Sequence, residues 1–202
     1  SARVELRDYR DLAGESFDKI VSVGMFEHVG RAELANYFAQ AYRLLKPGGL
    51  FLNHGISSRP VAPRTGAPRR AIRPPSALKR FAASRVVGDG LFVQRYIFPD
   101  GELVPVSEAN LVAEKAGFEV RDVENLREHY ALTLRHWVRR LEEHHEDAVR
   151  MASEVSYRTW RLYMAAASYA FESGAITVNQ TLLSKSIDGC AVVPLTRGDL
   201  YT

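Results

Sequence analysis

A strand, a helix and a second strand follow one another in the first quarter of the chain, and that order restricts the fold more than any other feature. Phe17–Val23 (FDKIVSV) is as dense in apolar residues as a buried parallel strand. Arg31–Lys46 follows, with Leu34, Tyr37, Phe38, Ala41, Leu44 and Leu45 at helical spacing. Pro47-Gly48-Gly49 stops that helix, and Leu50–Asn53 reads as a short strand ending at His54. Parallel neighbours require such a crossover helix, so the expected class is α/β with a parallel sheet. Val4–Arg7 reads as the tail of a strand before these.

Further along, Tyr96–Gly101 (YIFPDG) carries a Pro-Asp-Gly turn signal. Ser107 suits the N-cap of a helix running to Ala116 and closed by Gly117, and Phe118–Val123 reads as another strand. Two helices are expected over Tyr130–Met151 and Ser153–Ser173, with Gly174 as the stop. The aromatic set Trp160, Tyr163, Tyr169 and Phe171, with Met164, reads as core. Val178–Leu183 and Cys190–Leu195 supply one or two more strands. No internal repeat and no second domain is evident, so residues 1–202 read as one domain with a loop insertion at 59–90.

The 202 residues suffice for one core. No apolar run reaches the ~18 residues that cross a bilayer, and the charged N-terminus is unlike a secretory signal. A lone cysteine, Cys190, makes no internal disulfide, so a reducing cytoplasmic setting is expected. The net charge of +3 is concentrated: Arg59–Arg85 holds eight basic residues and no acidic one, leaving 19 Lys+Arg against 24 Asp+Glu elsewhere. Such a segment suits an anionic partner, here a membrane surface, and equally reads as a solvated insertion. Aromatic interleaving is lacking, since only Phe81 interrupts the run, so no nucleic-acid partner is expected.

Sites in open α/β sheets lie beyond the carboxyl ends of the strands. Three segments qualify: Asp8-Tyr9-Arg10, Gly24–Gly30 (GMFEHVG) and His54-Gly55-Ile56. Consecutive parallel strands tend to be neighbours, which groups Glu27 with His54. Taken singly, Glu27 and His28 also suit the start of the Arg31 helix, and His54 and Tyr130 also suit hydrogen-bonded or core roles. His144 and His145 read as surface positions. No histidine or cysteine spacing fits a metal, and neither GxxxxGK[ST] nor GxGxxG is present.

At SVGMFEHVG the chain resembles the cyclopropane-fatty-acyl-phospholipid synthases and mycolic acid cyclopropane synthases. The resemblance continues through VELRDYRDL, LLKPGGLFLNHGI, YIFPDGEL, HYALTLRHW and FESGAITVNQTLLSK. It implies a class I (Rossmann-like) S-adenosylmethionine-dependent methyltransferase sheet, truncated at the N-terminus, with helical additions over an acyl-binding cleft. The implied chemistry begins at a cis double bond of a phospholipid or fatty acyl chain, which takes the sulfonium methyl. Bicarbonate then removes a proton as the ring closes. Carried over by motif, the anion is held by Glu27, His54, the main chain of Ile56 and Tyr130. The family's N-terminal cysteine has no counterpart, and Cys190 does not replace it. A carboxylate beside an anion implies a shared proton.

The resemblance assigns the cofactor S-adenosyl-L-methionine to Asp8, Tyr9, Arg10, Val23 and Gly24. It places the cofactor's glycine loop before Ser1, while the end at PLTRGDLYT matches the family's own. A methylene- or methyl-branched product, or an inactive fragment, stays open beside cyclopropanation, as does a homodimer. The location implied is cytoplasmic, peripheral to the inner membrane face.

Overall fold

Leu34, Tyr37, Phe38, Ala41 and Leu44 are the buried residues of helix α1 (Leu34–Leu44), the single apolar stripe that its spacing requires. A 3-10 turn at Arg31–Glu33 precedes the helix. It stops at Leu44 because Leu45 turns extended and Pro47 disfavours helical geometry before it. Gly49 is needed there: a Cβ would meet the Asp18 carbonyl at 2.9 Å and the Leu45 side chain at 2.7 Å. These observations come from a computed structural model, which describes residues 2–59, 91–191 and 193–198.

Two compact units make up the chain. The first comprises Ser1–Gly55, Val106–Glu124 and Asn179–Thr202; the second comprises Ile56–Pro105 and Asn125–Val178. The strands are β1 (Phe17–Val23), β2 (Leu45–Ser58), β3 (Glu119–Asn125) and β4 (Ile176–Ser184), paired in the order β1-β2-β4-β3. β1 and β2 are parallel, with Val23 beside His54. Lys185 just after β4 exchanges main-chain hydrogen bonds with Gly48 and Gly49, whereas Gln180 meets His54. β4 therefore runs against β2, and the sheet is mixed rather than parallel throughout.

In the first unit α1 covers one sheet face. Phe38 meets Phe51 at 6.4 Å and Phe118 at 6.5 Å between ring centroids, and Phe51 meets Phe118 at 5.8 Å. Helix α3 (Val106–Lys115) ends at Gly117, whose φ of +104° is open to glycine at little cost. Its start lies one residue before Ser107, which sits inside the first turn.

The second unit contains the short helix α2 (Leu91–Tyr96) and the helices α4 (Arg127–Glu143), α5 (His145–Met151) and α6 (Glu154–Glu172). Ala131, Leu134, Ala167, Phe171 and Val178 form its core. The two alanines permit close approach of α4 and α6, and the Ser168 hydroxyl donates to the Ala131 carbonyl at 3.0 Å. Ser153 caps α6 by accepting from the Ser156 amide. Arg127 donates to the carbonyls of Phe171 and Glu172, closing the other end of α6.

Further expectations change. Val4–Arg7 is not a strand: Val4 and Leu6 are 96% and 108% exposed and join no ladder among the described residues. Cys190–Leu195 forms no strand in its described residues, only a bridge between Ile187 and Cys190. The expected helix over Tyr130–Met151 is broken at His144, between α4 and α5. Trp160 is 45% exposed, while Phe171 is core and Tyr163 and Met164 pack against it. The basic segment lies outside the described residues beyond Arg59.

Candidate active site

β1 ends at Val23, and Gly24 turns the chain with a φ of +63°. A 3-10 turn, Phe26–His28, then carries Glu27. The Gly24 amide donates to the His54 carbonyl at 3.1 Å, so the loop after β1 is fastened to β2 at His54. Gly55 lets the loop come closer: a Cβ there would lie 2.9 Å from the Phe26 ring. Glu27 follows Phe26 directly and is 9% exposed. The loop that carries Glu27 is thus tied to β2 at His54.

His54 is inside β2, not beyond its end. The strand runs on to Ser58, burying Phe51, Asn53, Gly55 and Ser57 on one side and leaving His54 and Ile56 half-buried on the other. Small residues at Gly55 and Ser57 extend the buried face without extending the apolar run. The His54 ring meets the Gln180 side-chain amide, Nδ1 to Nε2, at 3.2 Å.

Beneath Glu27 lies a polar pair that sequence reasoning missed. The Tyr37 hydroxyl donates to Asn53 Oδ1 at 2.8 Å in buried surroundings. Burial pushes the Tyr37 phenol well above its ordinary value; a hydrogen bond with Ser22 opposes the shift, and charge at Glu27 adds to it. Its only signals were a tyrosine on the helix's apolar stripe and an asparagine in an apolar strand.

Tyr9 lies on a 3-10 turn, Tyr9–Asp11, that Asp8 caps. Asp8 binds Arg10 through both the guanidinium and the Arg10 amide, which holds its carboxyl at about 2. Gln40 on α1 donates to the carbonyls of Tyr9 at 3.1 Å and Leu12 at 2.8 Å. The Tyr9 ring stands edge-on to Tyr37 at 5.7 Å. Burial raises the Tyr9 phenol, and Arg10 opposes the shift. Tyr9 therefore stands against the helix that also packs on Phe26 and Phe51, while Asp8 and Arg10 are exposed. Open space surrounds the position a Cβ would take at Gly24. An aromatic ring, a strand-end main chain and an uncrowded glycine suit the adenosine part of a nucleoside cofactor.

In the second unit Ile56 and Tyr130 are partly buried against one apolar cluster. The Tyr130 ring lies 4.9 Å from Phe171, edge to face. His144 and His145 are exposed as expected. Among the described residues no group of histidine, cysteine or carboxylate side chains could hold a metal, and no helix is long and apolar enough to cross a membrane.

Residues 1–181 match the family model described as mycolic acid cyclopropane synthetase. A probable fatty acid methyltransferase of Pseudomonas putida is 43% identical over 200 residues, covering 98% of this chain and 46% of the relative. The structure of cyclopropane synthase MmaA2 from Mycobacterium tuberculosis aligns with a TM-score of 0.74 and 30% identity, over 91% of this chain and 60% of that one. Mycolic acid cyclopropane synthase CmaA1, complexed with SAH and CTAB, aligns at 0.72 and 28% identity with the same coverages. The chain thus spans about half the length of these relatives.

Proposed function

Because the chain belongs to the mycolic acid cyclopropane synthetase family, we propose that it forms part of an S-adenosylmethionine-dependent methyltransferase acting on the cis double bond of a lipid acyl chain and closing a cyclopropane ring. The observation that carries this reading is the fastening of the Glu27 loop to His54 through the Gly24 amide and the Gly55–Phe26 contact. It supports a site that draws an acid from the loop after β1 and an imidazole from the adjoining part of β2.

S-adenosylmethionine, when bound, supplies an electrophilic methyl to the alkene, and bicarbonate supplies the base for the proton lost on ring closure. Tyr9, with Asp8 and Arg10 fixing its turn, lines the adenosine; Val23 and Gly24 offer their main chain. Glu27 and His54 hold the anion, sharing a proton and donating a hydrogen bond respectively. The Ile56 amide and the Tyr130 hydroxyl are assigned to the same anion by family resemblance. A second reading, in which the same first step ends in a methyl- or methylene-branched fatty acid, is equally compatible with a relative named a probable fatty acid methyltransferase.

The substrate class is an unsaturated phospholipid or fatty acid, met at a cytoplasmic membrane surface that the Arg59–Arg85 segment attracts. The test is lipid mass spectrometry after incubating the intact protein with S-adenosylmethionine and vesicles of cis-monounsaturated phospholipid. Gain of one CH2 unit with loss of alkene reactivity supports the ring, and retained alkene reactivity selects the methylene-branched product. Glu27→Gln should slow turnover at least ~100-fold, the scale of a positioned proton-handling group; full activity in that variant refutes the assignment of Glu27.

A further inference from the structure

We propose that Gln180 is a positioning residue that sets the tautomer of His54, so that the ring presents an N–H from Nε2. The inference deepens the reading above, on which the use of that N–H as an anion ligand rests. His54 is held from two sides. Its main chain pairs with Val23 on β1 and accepts from the Gly24 amide, while its ring meets Gln180 on β4, 126 residues away.

The polarity of that contact decides the proton's place. With its amide nitrogen turned toward the ring, as here, Gln180 donates and does not accept, and in that orientation His54 Nδ1 receives the hydrogen bond with its lone pair. In a neutral imidazole the proton then resides on Nε2. Gln180 stands between the buried residues Asn179 and Thr181, and its side chain lies on the same half-buried side of the sheet as His54. Without the amide both tautomers of a neutral ring are open to His54, and the Nδ1–H form turns a bare lone pair toward any anion at Nε2. A hydrogen bond of ordinary strength biases the two forms by ~5-fold.

Glutamine suits this task better than glutamate. A carboxylate at position 180 would accept from Nδ1–H, drawing the neutral ring's proton away from Nε2 and favouring the charged ring. The neutral amide fixes a donor at Nε2 without adding negative charge near an anion.

The experiment is nitrogen NMR of the intact protein labelled at histidine, above the ring's titration, with His54 identified by the signals lost in His54→Gln. Wild type should show protonated Nε2 and bare Nδ1. Gln180→Met, which keeps the length and removes the donor, should weaken that bias by ~5-fold and lower kcat similarly, with KM for lipid unchanged. Gln180→Glu should move the proton to Nδ1. A wild-type ring protonated at Nδ1, or a tautomer indifferent to Gln180→Met, overturns the proposal. The tautomer readout needs no bicarbonate. Added sodium bicarbonate then tests the underlying reading separately: an Nε2 signal that ignores it, in a ring whose tautomer follows Gln180, upholds this inference and removes His54 from the anion site.

Discussion

Tyr37→Phe removes one oxygen from the floor of the site and should cost more than a surface hydrogen bond. Tyr37 donates to Asn53 Oδ1 at 2.8 Å, and Asn53 is only 6% exposed, so its carbonyl has little access to water as a replacement. A typical net hydrogen bond is worth ~1 kcal/mol, and a buried acceptor left without its donor costs ~1–3 kcal/mol. Ring packing is kept, because phenylalanine retains the edge contacts with Phe38 and Tyr9. We expect a loss of ~2 kcal/mol, which lowers Tm by ~4–8 °C for a protein of this size class. Thermal and urea unfolding of the intact protein measure it. Asn53→Leu combined with Tyr37→Phe should recover much of the loss, since the Asn53 carbonyl is then no longer stranded. A single variant within ~0.3 kcal/mol of wild type, or a double variant less stable than the sum of the singles, would refute the reasoning.

Gln40→Leu deletes the two hydrogen bonds that hold the Tyr9–Leu12 turn; S-adenosylhomocysteine should bind ~5- to 30-fold more weakly by calorimetry, a loss of ~1–2 kcal/mol. Gly117→Ala places a side chain at φ +104° with the Tyr42 ring 3.0 Å from its Cβ, so destabilisation above ~1 kcal/mol is expected in urea unfolding. The Arg10 guanidinium and amide hold the Asp8 carboxyl near 2, below the ordinary 3.8, so its stabilising contribution is complete above that higher value and is lost as pH falls through 2. Tyr9 fluorescence followed between pH 5 and about 2 should show the turn loosening only at the acid end, and Asp8→Asn should abolish that step.

What the sequence discloses follows what it encodes locally. The extent of β1 was readable because Phe17, Ile20, Val21 and Val23 crowd one short run, although the expected burial is not found: none of its residues is buried, and Val21 and Val23 are exposed; α1 was readable because one stripe recurs and Pro47 closes it. β2 was read too short since Gly55 and Ser57 occupy its buried side where apolar residues would have announced it. Val4 and Leu6 alternate like a strand, but alternation forms no ladder without a neighbour. The break at His144 has neither glycine nor proline to mark it. Within the site, Glu27 and His54 were paired by strand order, whereas Gln180, Asn53 and Gln40 depend on partners distant in sequence, which no spacing rule reveals. A run of Asn179, Gln180 and Thr181 inside an otherwise apolar strand was the available hint.

The most direct measurement of the account's core is the methylation rate of unsaturated phospholipid by the intact protein in carbonate-free buffer, followed by stepwise return of bicarbonate. An anion held at Glu27 and His54 predicts a rate that falls on depletion and is restored with saturation, and a His54→Gln variant that needs more bicarbonate to reach half its maximum. A wild-type rate indifferent to bicarbonate would contradict it.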